Sequence, residues 1–252
     1  MTSVLYLDRY HLGDPLFLNG LARDVLAFPG PLVLVHGVGE AAERALEAQG
    51  RIPEWRDGVL VVESGADRAL VERAARDLNR RIVHTLNDAG VSAVRLDAGS
   101  RGLFRAGETG PEVKNLDWLR ALVAQGVVPV VAALLEEERG AMREVSGGAV
   151  AGLLADAFMR SGESSCVLAL VKNGAYAPES GGRALGAMSP EALPEERLPE
   201  PEAIRAALAV GAETRLIGRS DLRLGASGGL SIAEGVDNKS ARMARKGRIR
   251  LD

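Results

Sequence analysis

Two glycine-containing turns in this sequence could bind an anion. The first is His36-Gly37-Val38-Gly39, which follows the apolar run 32–35 and precedes a helical stretch that begins near Glu40. Glycine lets the backbone approach a ligand closely, and the first N–H groups of a helix have no partners inside it. This place therefore suits a phosphate, a carboxylate or a developing oxyanion. A tight strand-to-helix turn that binds nothing would have the same sequence.

The second turn is Ser146-Gly147-Gly148, which opens an alanine-rich helical stretch. Its backbone N–H groups could receive an anion at the start of that helix. The alternative interpretation is that Ser146 is only an N-cap residue whose hydroxyl satisfies the first turn. The residues themselves do not decide between the two.

The first turn also matches the dinucleotide pattern G-x-G-x-x-A over 37–42. Glu63 follows the last of these glycines by 24 residues, close to where an acid that binds a ribose belongs. A nicotinamide-dependent enzyme is therefore a remote alternative. The turn follows what is predicted to be the second strand and not the first, which disfavours this alternative.

The hydrophobic periodicity predicts strands and helices that alternate along the chain. Predicted strands cover 3–7, 32–35, 59–62, 91–96, 127–135, 167–171 and 213–217, and predicted helices cover 14–27, 40–49, 67–89, 115–125, 146–159 and 202–210. Residues 102–105 suggest an edge hairpin, and 174–202 suggest a loop. The order predicts one α/β domain over 1–252, a three-layer αβα sandwich with a mostly parallel central sheet.

Composition excludes several classes of function. The net charge is −3, so there is no general attraction to nucleic acid or to an anionic membrane. No segment approaches the length of a membrane span, and a cytoplasmic location is expected. The sole cysteine, Cys166, lies in an apolar run and is interpreted as a buried structural thiol. No metal-binding set is predicted.

Several segments resemble the N-acetylglutamate kinases of the amino acid kinase family. The stretch 79–96 is similar to the family's N-K-x-L-V-x-x-L-N-x-x-G-x-x-A-V-G-L, and 126–132 is similar to its strand G-Y-I-P-V-I-A. Residues 34–39 look like the family's V-V-H-G-G-G, and 151–155 resemble the start of the helix after its nucleotide motif. The matches keep their order over 3–172.

The resemblance implies the amino-acid-kinase fold and an ancestral activity. That activity moves the γ-phosphoryl group of Mg·ATP onto the side-chain carboxylate of an N-acylated acidic amino acid. It implies an amino-acid lobe over 1–145 and a divergent nucleotide lobe over 146–252. The implied substrate-binding residues are His36, Gly37, Val38 and Gly39, and the implied nucleotide-binding residues are Ser146, Gly147, Gly148, Lys172, Asn173 and Gly174.

The sequence departs from the family where the family carries charge. The family's first strand ends in K-x-G-G, but the region 5–10 has neither the lysine nor the glycine pair, and Arg9 is the candidate replacement cation. Leu60 stands where the family's arginine grips the substrate carboxylate, and Gly148 stands where its organising aspartate belongs. Arg205 is the cation nearest to the expected late lysine.

These departures leave more than one hypothesis open. One is a catalytically silent relative that binds an acidic metabolite or a partner. Another is a working kinase in which Arg9, Lys172 or the basic tail 239–246 replaces the lost lysines and Mg·ATP is the phosphoryl donor. Homodimers are usual in the resembled family, and the apolar face of 67–89 exceeds what one short sheet can cover, which fits a homodimer.

Overall fold

The protein is built around one seven-stranded sheet with helices on both faces. The structure, a computed structural model, describes residues 1–14, 16–56, 58–107, 110–137, 142–172 and 187–233. The strand order is β13-β12-β11-β1-β2-β8-β5, and every neighbouring pair is parallel except β12 with β13. The expected αβα sandwich with a mostly parallel sheet is therefore confirmed.

The elements of the described residues are as follows. The strands are β1 (Thr2–Leu7), β2 (Leu32–His36), β3 (Trp55–Arg56), β4 (Val59–Leu60), β5 (Ala93–Asp97), β6 (Phe104–Ala106), β7 (Pro111–Val113), β8 (Val128–Ala132), β9 (Leu134–Glu136), β10 (Met142–Glu144), β11 (Ser165–Leu170), β12 (Thr214–Ile217) and β13 (Leu230–Ile232). The helices are α1 (Arg9–Gly13), α2 (Phe17–Leu26), α3 (Glu40–Glu47), α4 (Gly65–Asp88), α5 (Asp117–Ala124), α6 (Gly147–Arg160) and α7 (Pro201–Ala209).

The central strands are apolar throughout because both faces of the sheet are covered. In β1, Val4 and Tyr6 contribute to the core beneath α5, α6 and α7, whereas Leu5 and Leu7 contribute to the core beneath α2 and α4. Successive side chains of a strand point to opposite faces, so a strand between two helical layers needs apolar residues at nearly every position. Cys166 is buried in β11, as expected.

Three local predictions were incomplete. The predicted strand 127–135 is broken at Ala133 into β8 and β9, because β9 leaves the main sheet and pairs with β10. The predicted strand 59–62 shortens to β4, which pairs with β3 in a hairpin outside the main sheet. The short helix α1 was not predicted at all, since its five residues carry no periodic signal.

The apolar face of α4 is covered within the chain. Val71, Ala75, Leu78, Ile82 and Leu86 are all buried. This face therefore gives no support for a homodimer, because α2, α3 and the sheet together cover it within the chain. Among the described helices, none combines the length and the apolar character that crossing a lipid bilayer requires.

Candidate functional site

The candidate site lies at the carboxyl edge of the parallel strands. β1 pairs with β2 on one side and with β11 on the other, all in parallel, so the residues that follow these three strands emerge at the same edge. The chain runs from β1 to β2 in one direction, and β11 is later added on the opposite side of β1. Ligands of open α/β sheets bind at such points, where the strand order reverses.

The first glycine turn leads directly from β2 into α3. Gly39 is the N-cap residue of α3 and has a φ of 71°, a backbone conformation that residues with a Cβ rarely adopt. A Cβ at Gly39 would also lie 2.8 Å from Leu78 Cδ2. The first turn of α3 carries two carboxylates, those of Glu40 and Glu43. They already place negative charge at the positive end of this helix.

A carboxyl group of the chain itself occupies the first glycine turn. The Val38 N–H donates to Glu144 Oε1 at 3.2 Å, and the Leu60 N–H donates to Glu144 Oε2 at 2.9 Å. Glu144 is 4% exposed. Burial raises the pKa of Glu144 to about 8, and the two backbone hydrogen bonds act in the opposite direction. Sequence reasoning did not identify this residue as part of the site.

Arg9, the candidate replacement cation, is held by two carboxylates. Its Nε donates to Glu200 Oε1 at 2.6 Å, and its NH1 donates to Glu43 Oε1 at 2.7 Å. The guanidinium also lies 3.6 Å from the ring centre of Trp55, in a cation–π arrangement. Arg9 is thus at the expected edge, but its charge is engaged inside the protein.

Glu200 links Arg9 to the sheet. Its Oε2 accepts from the Tyr6 hydroxyl at 2.8 Å and from the Arg9 backbone N–H at 3.1 Å. Burial raises the pKa of the Glu200 carboxyl, although its hydrogen bond from Tyr6 and the charge of Arg9 act against this. Burial, followed by the charge of Glu200, holds the pKa of Tyr6 well above its usual value of 10. The Tyr6 phenol is therefore a hydrogen-bond donor at neutral pH.

Asp8 has a structural role at the end of β1. Its side chain caps α1 by accepting the His11 N–H at 2.9 Å, and its second oxygen lies 2.6 Å from His11 Nδ1. This carboxylate is buried and already has hydrogen-bond partners within the protein, so it is not exposed for contact with a bound molecule.

The second glycine turn abuts the first. Ser146 caps α6, because its Oγ accepts from the Ala149 N–H at 3.3 Å. A Cβ at Gly147 would lie 2.7 Å from Tyr6 Cε2 and 3.5 Å from the Gly37 nitrogen, so the two turns lie in contact. A Cβ at Gly148 would lie 1.8 Å from the Ala203 carbonyl oxygen, because α7 packs closely on this turn. Nucleotide binding by Ser146, Gly147 and Gly148 stays a prediction.

The remaining candidate residues are spread unevenly. Lys172 follows β11 at the same edge, with its Nζ 5.1 Å from the ring centre of Tyr10. Arg205 is exposed on α7 and pairs with Glu195. Asn173, Gly174 and the basic tail 239–250 lie outside the described residues. The part of the chain that the structure describes contains no group of three or more side chains suited to hold a metal ion.

His36 and Glu63 are also in unexpected surroundings. His36 is fully buried, its Nδ1 lies 2.7 Å from the Gly37 carbonyl oxygen, and burial lowers its pKa to about 4. It is therefore neutral and not a cation for a substrate carboxylate at pH 7. Glu63 follows the β3–β4 hairpin and does not end a strand of the main sheet. Glu63 thus does not stand at the end of a main-sheet strand, where the dinucleotide pattern places its ribose-binding acid.

The carboxylates of this edge could not be identified as a group from the sequence. Glu43, Glu144 and Glu200 are separated by more than fifty residues along the chain, and each belongs to a different element. The one available signal was Glu144, which stands two residues after the apolar Met142 and directly before the apolar Val145. Such a position suggests burial but gives no partner.

Solved structures of similar shape define the class of fold. An N-acetylglutamate synthase from Neisseria gonorrhoeae, complexed with coenzyme A and N-acetyl-glutamate, superposes with a TM-score of 0.67 at 19% identity, over 94% of this chain and 60% of that one. Aspartokinase III from E. coli superposes with a TM-score of 0.62 at 14% identity, over 94% of this chain and 66% of that one. An isopentenyl phosphate kinase superposes with a TM-score of 0.53 at 16% identity, over 88% and 95% of the two chains. The protein has the fold of the amino acid kinases.

Sequence similarity points to one branch of these proteins. The acetylglutamate kinase of Chloroflexus aurantiacus is 35% identical over 141 residues, which are 52% of this chain and 56% of that protein. The acetylglutamate kinase of Phocaeicola vulgatus is 28% identical over 174 residues, 65% and 68% of the two chains. The chain thus spans little more than half the length of the first of these curated relatives. No family model matches the sequence. The resemblance to acetylglutamate kinases is confirmed.

Proposed function

We propose that this protein is an acetylglutamate-kinase-like protein in which phosphoryl transfer is weak or lost. The ancestral reaction would move the γ-phosphoryl group of Mg·ATP onto the side-chain carboxylate of an N-acylated acidic amino acid. The retained role would be the binding of a small acidic metabolite or a regulatory contact. The single observation that supports this proposal is the double ion pair of Arg9 with Glu200 and Glu43.

A phosphoryl group in transfer carries negative charge that the site must stabilise. Phosphoryl transfer needs cations and N–H groups directed at the oxygens on which charge develops. Arg9 is bound by two carboxylates, so a phosphoryl group at this edge would meet at least as much negative as positive charge. Leu60 and Gly148 stand where charged residues of the resembled family belong. Each such loss typically lowers the rate by about 10²–10³.

The second candidate function is an active kinase with relocated cations. Lys172 favours it, because this lysine follows β11 and lies at the same edge as Arg9 and the glycine turns. A lysine on a flexible stem could reach a phosphate from there without breaking the Arg9 ion pairs. In that case Mg·ATP would be a substrate of the protein.

The two functions differ in the release of ADP. The assay combines the protein with magnesium, ATP and N-acetyl-L-glutamate or a panel of other N-acyl amino acids, and the Chloroflexus aurantiacus acetylglutamate kinase is measured beside it. We expect no release above buffer. Release that depends on both magnesium and the acyl amino acid, and that falls in Lys172→Ala but not in Lys114→Ala, would instead establish the active kinase.

A homodimer is part of the same proposal. The support is that β5 forms an edge of the seven-stranded sheet, and only β8 pairs with it among the described strands. Pairing of equivalent edges would extend the sheet across two subunits and would protect an exposed edge. Sedimentation equilibrium is expected to give a mass of about twice 26.5 kDa, and a strictly monomeric mass at all concentrations would refute this part.

A further inference from the structure

Two backbone donors from separate elements converge on one carboxyl group in the first glycine turn. Val38 lies between the two glycines of this turn, and Leu60 ends β4 of the hairpin. Their N–H groups point at the two different oxygens of Glu144, at 3.2 and 2.9 Å. Glu144 itself ends β10, two residues before the serine that caps α6. The arrangement is that of a carboxyl-binding site made of backbone amides.

The turn is shaped for this close approach. A Cβ added at Gly37 would lie 3.2 Å from Glu144 Oε1, closer than ordinary van der Waals contact. The absence of a side chain at Gly37 thus leaves room for the carboxyl oxygen.

Glu144 has no salt-bridge partner in the described part of the chain, and burial raises its pKa more than the charge of Arg9 lowers it. Its side chain forms none of the ion pairs found there, and it is buried, with only 4% of its surface exposed. Burying an ionised carboxyl group without a salt bridge is costly, but an apolar residue here would leave the Val38 and Leu60 N–H groups without an acceptor. The carboxyl group at this position is therefore explained by the two backbone donors of the turn and the hairpin, and not by apolar packing.

We propose that Glu144 is a resident ligand of the first glycine turn, and that its carboxyl group takes the place that a carboxylate from solution would otherwise fill. The inference rests on the proposed function only in that both treat this turn as the acidic-ligand position. It narrows that function, because while Glu144 is in place an acidic metabolite would bind at this edge outside the first glycine turn or would have to displace Glu144.

The resident group has a large advantage over any free ligand. A group tethered within the same chain acts at an effective concentration of about millimolar or more, without losing the freedom that a separate molecule loses on binding. A metabolite with a carboxylate must therefore displace Glu144 or bind elsewhere at this edge. Glu144 would then set which ligands the site accepts.

The test is chemical rescue by acetate, measured without nucleotide. Glu144→Ala removes the carboxyl group and leaves both N–H donors, whereas Glu144→Gln fills the space. The melting temperature of each variant and of the original protein is followed in sodium acetate and in sodium chloride of equal ionic strength. We expect a saturable rise of at least about 3 °C in acetate for Glu144→Ala alone. Glu47→Ala, which removes an exposed carboxylate on α3, is the matched control and should behave like the original protein.

Each outcome decides the proposal. If Glu144→Ala does not fold in chloride, its refolding is followed against acetate concentration, and recovery in acetate but not in chloride supports a vacated carboxyl site. An equal response of all proteins to acetate would refute the proposal. The proposal would also be refuted if neither Glu144→Ala nor the milder substitution Glu144→Ser responded to acetate. ADP release by the original protein would refute the proposed loss of activity without affecting this result.

Discussion

Replacing Glu144 with glutamine should change how the stability of the protein depends on pH. Burial raises the pKa of Glu144 from 4.5 to about 8, so the folded protein holds a proton that the unfolded chain releases above pH 4.5. The stability that this proton confers is complete below pH 4.5 and is lost as the pH rises through 8. At about 1.36 kcal/mol per pH unit, this rise corresponds to an upper bound of about 5 kcal/mol. Glutamine cannot ionise, but its amide nitrogen cannot accept a hydrogen bond, so one of the two backbone donors loses its acceptor at every pH.

The assay is urea unfolding of the original protein and of Glu144→Gln at several values between pH 4.5 and 8.5. The variant should be the less stable protein at the acid end because it loses one hydrogen bond, and the difference should shift in its favour by several kcal/mol between pH 4.5 and 8. Glu47→Gln is the control for the loss of an exposed carboxylate. Parallel curves for the original protein and Glu144→Gln would refute the reasoning, because they would mean that burial of Glu144 costs nothing when it ionises.

Other predictions follow from the same edge. Gly148→Ala should lower the free energy of unfolding by about 1–3 kcal/mol or more, because its Cβ would overlap the Ala203 carbonyl. A Cβ at Gly65 would meet open space, so Gly65→Ala should be neutral or stabilising. Calorimetry compares the two variants, and equal melting temperatures would contradict the close packing of α7 on Gly148. Burial lowers the pKa of His36 to about 4, so stability that is complete above pH 6.5 should fall by about 3 kcal/mol as the pH drops to 4, and His36→Gln should remove this loss in acid urea titrations. Tyr6→Phe should lower the free energy of unfolding by about 1–3 kcal/mol because it removes the buried hydrogen bond to Glu200 Oε2, which then keeps only the Arg9 N–H; an unchanged midpoint in urea would show that this hydrogen bond contributes nothing.

Much of the fold could be predicted from the sequence. The strands β1, β2, β11 and β12 and the helices α3, α4, α5 and α7 lie within two residues of their predicted ends. The strong signals were continuous apolar runs for strands covered on both faces, and 3.6-residue periodicity for helices covered on one. The errors lie where contacts with neighbouring strands, and not the local sequence pattern, decide which strands pair. Leu134 and Leu135 are as apolar as the strand before them, yet they leave the main sheet for a hairpin.

The candidate site was predicted only in part. The glycine turns and Arg9 were found from the sequence, because a turn and the residue after a strand are local features. Whether Arg9 is available to a ligand depends on Glu43 and Glu200, which lie 34 and 191 residues away along the chain.

The sequence by itself determined the class of fold, the order of its elements, the buried cysteine and the two turns whose backbones could face an anion. Only the tertiary structure decided that carboxyl groups of the chain itself occupy this edge. The physical reason is that hydrogen bonds and ion pairs act over a few ångströms in space. The separation of Glu144 from Val38 and Leu60 along the chain, 106 and 84 residues, is closed only when the sheet and its hairpins are assembled.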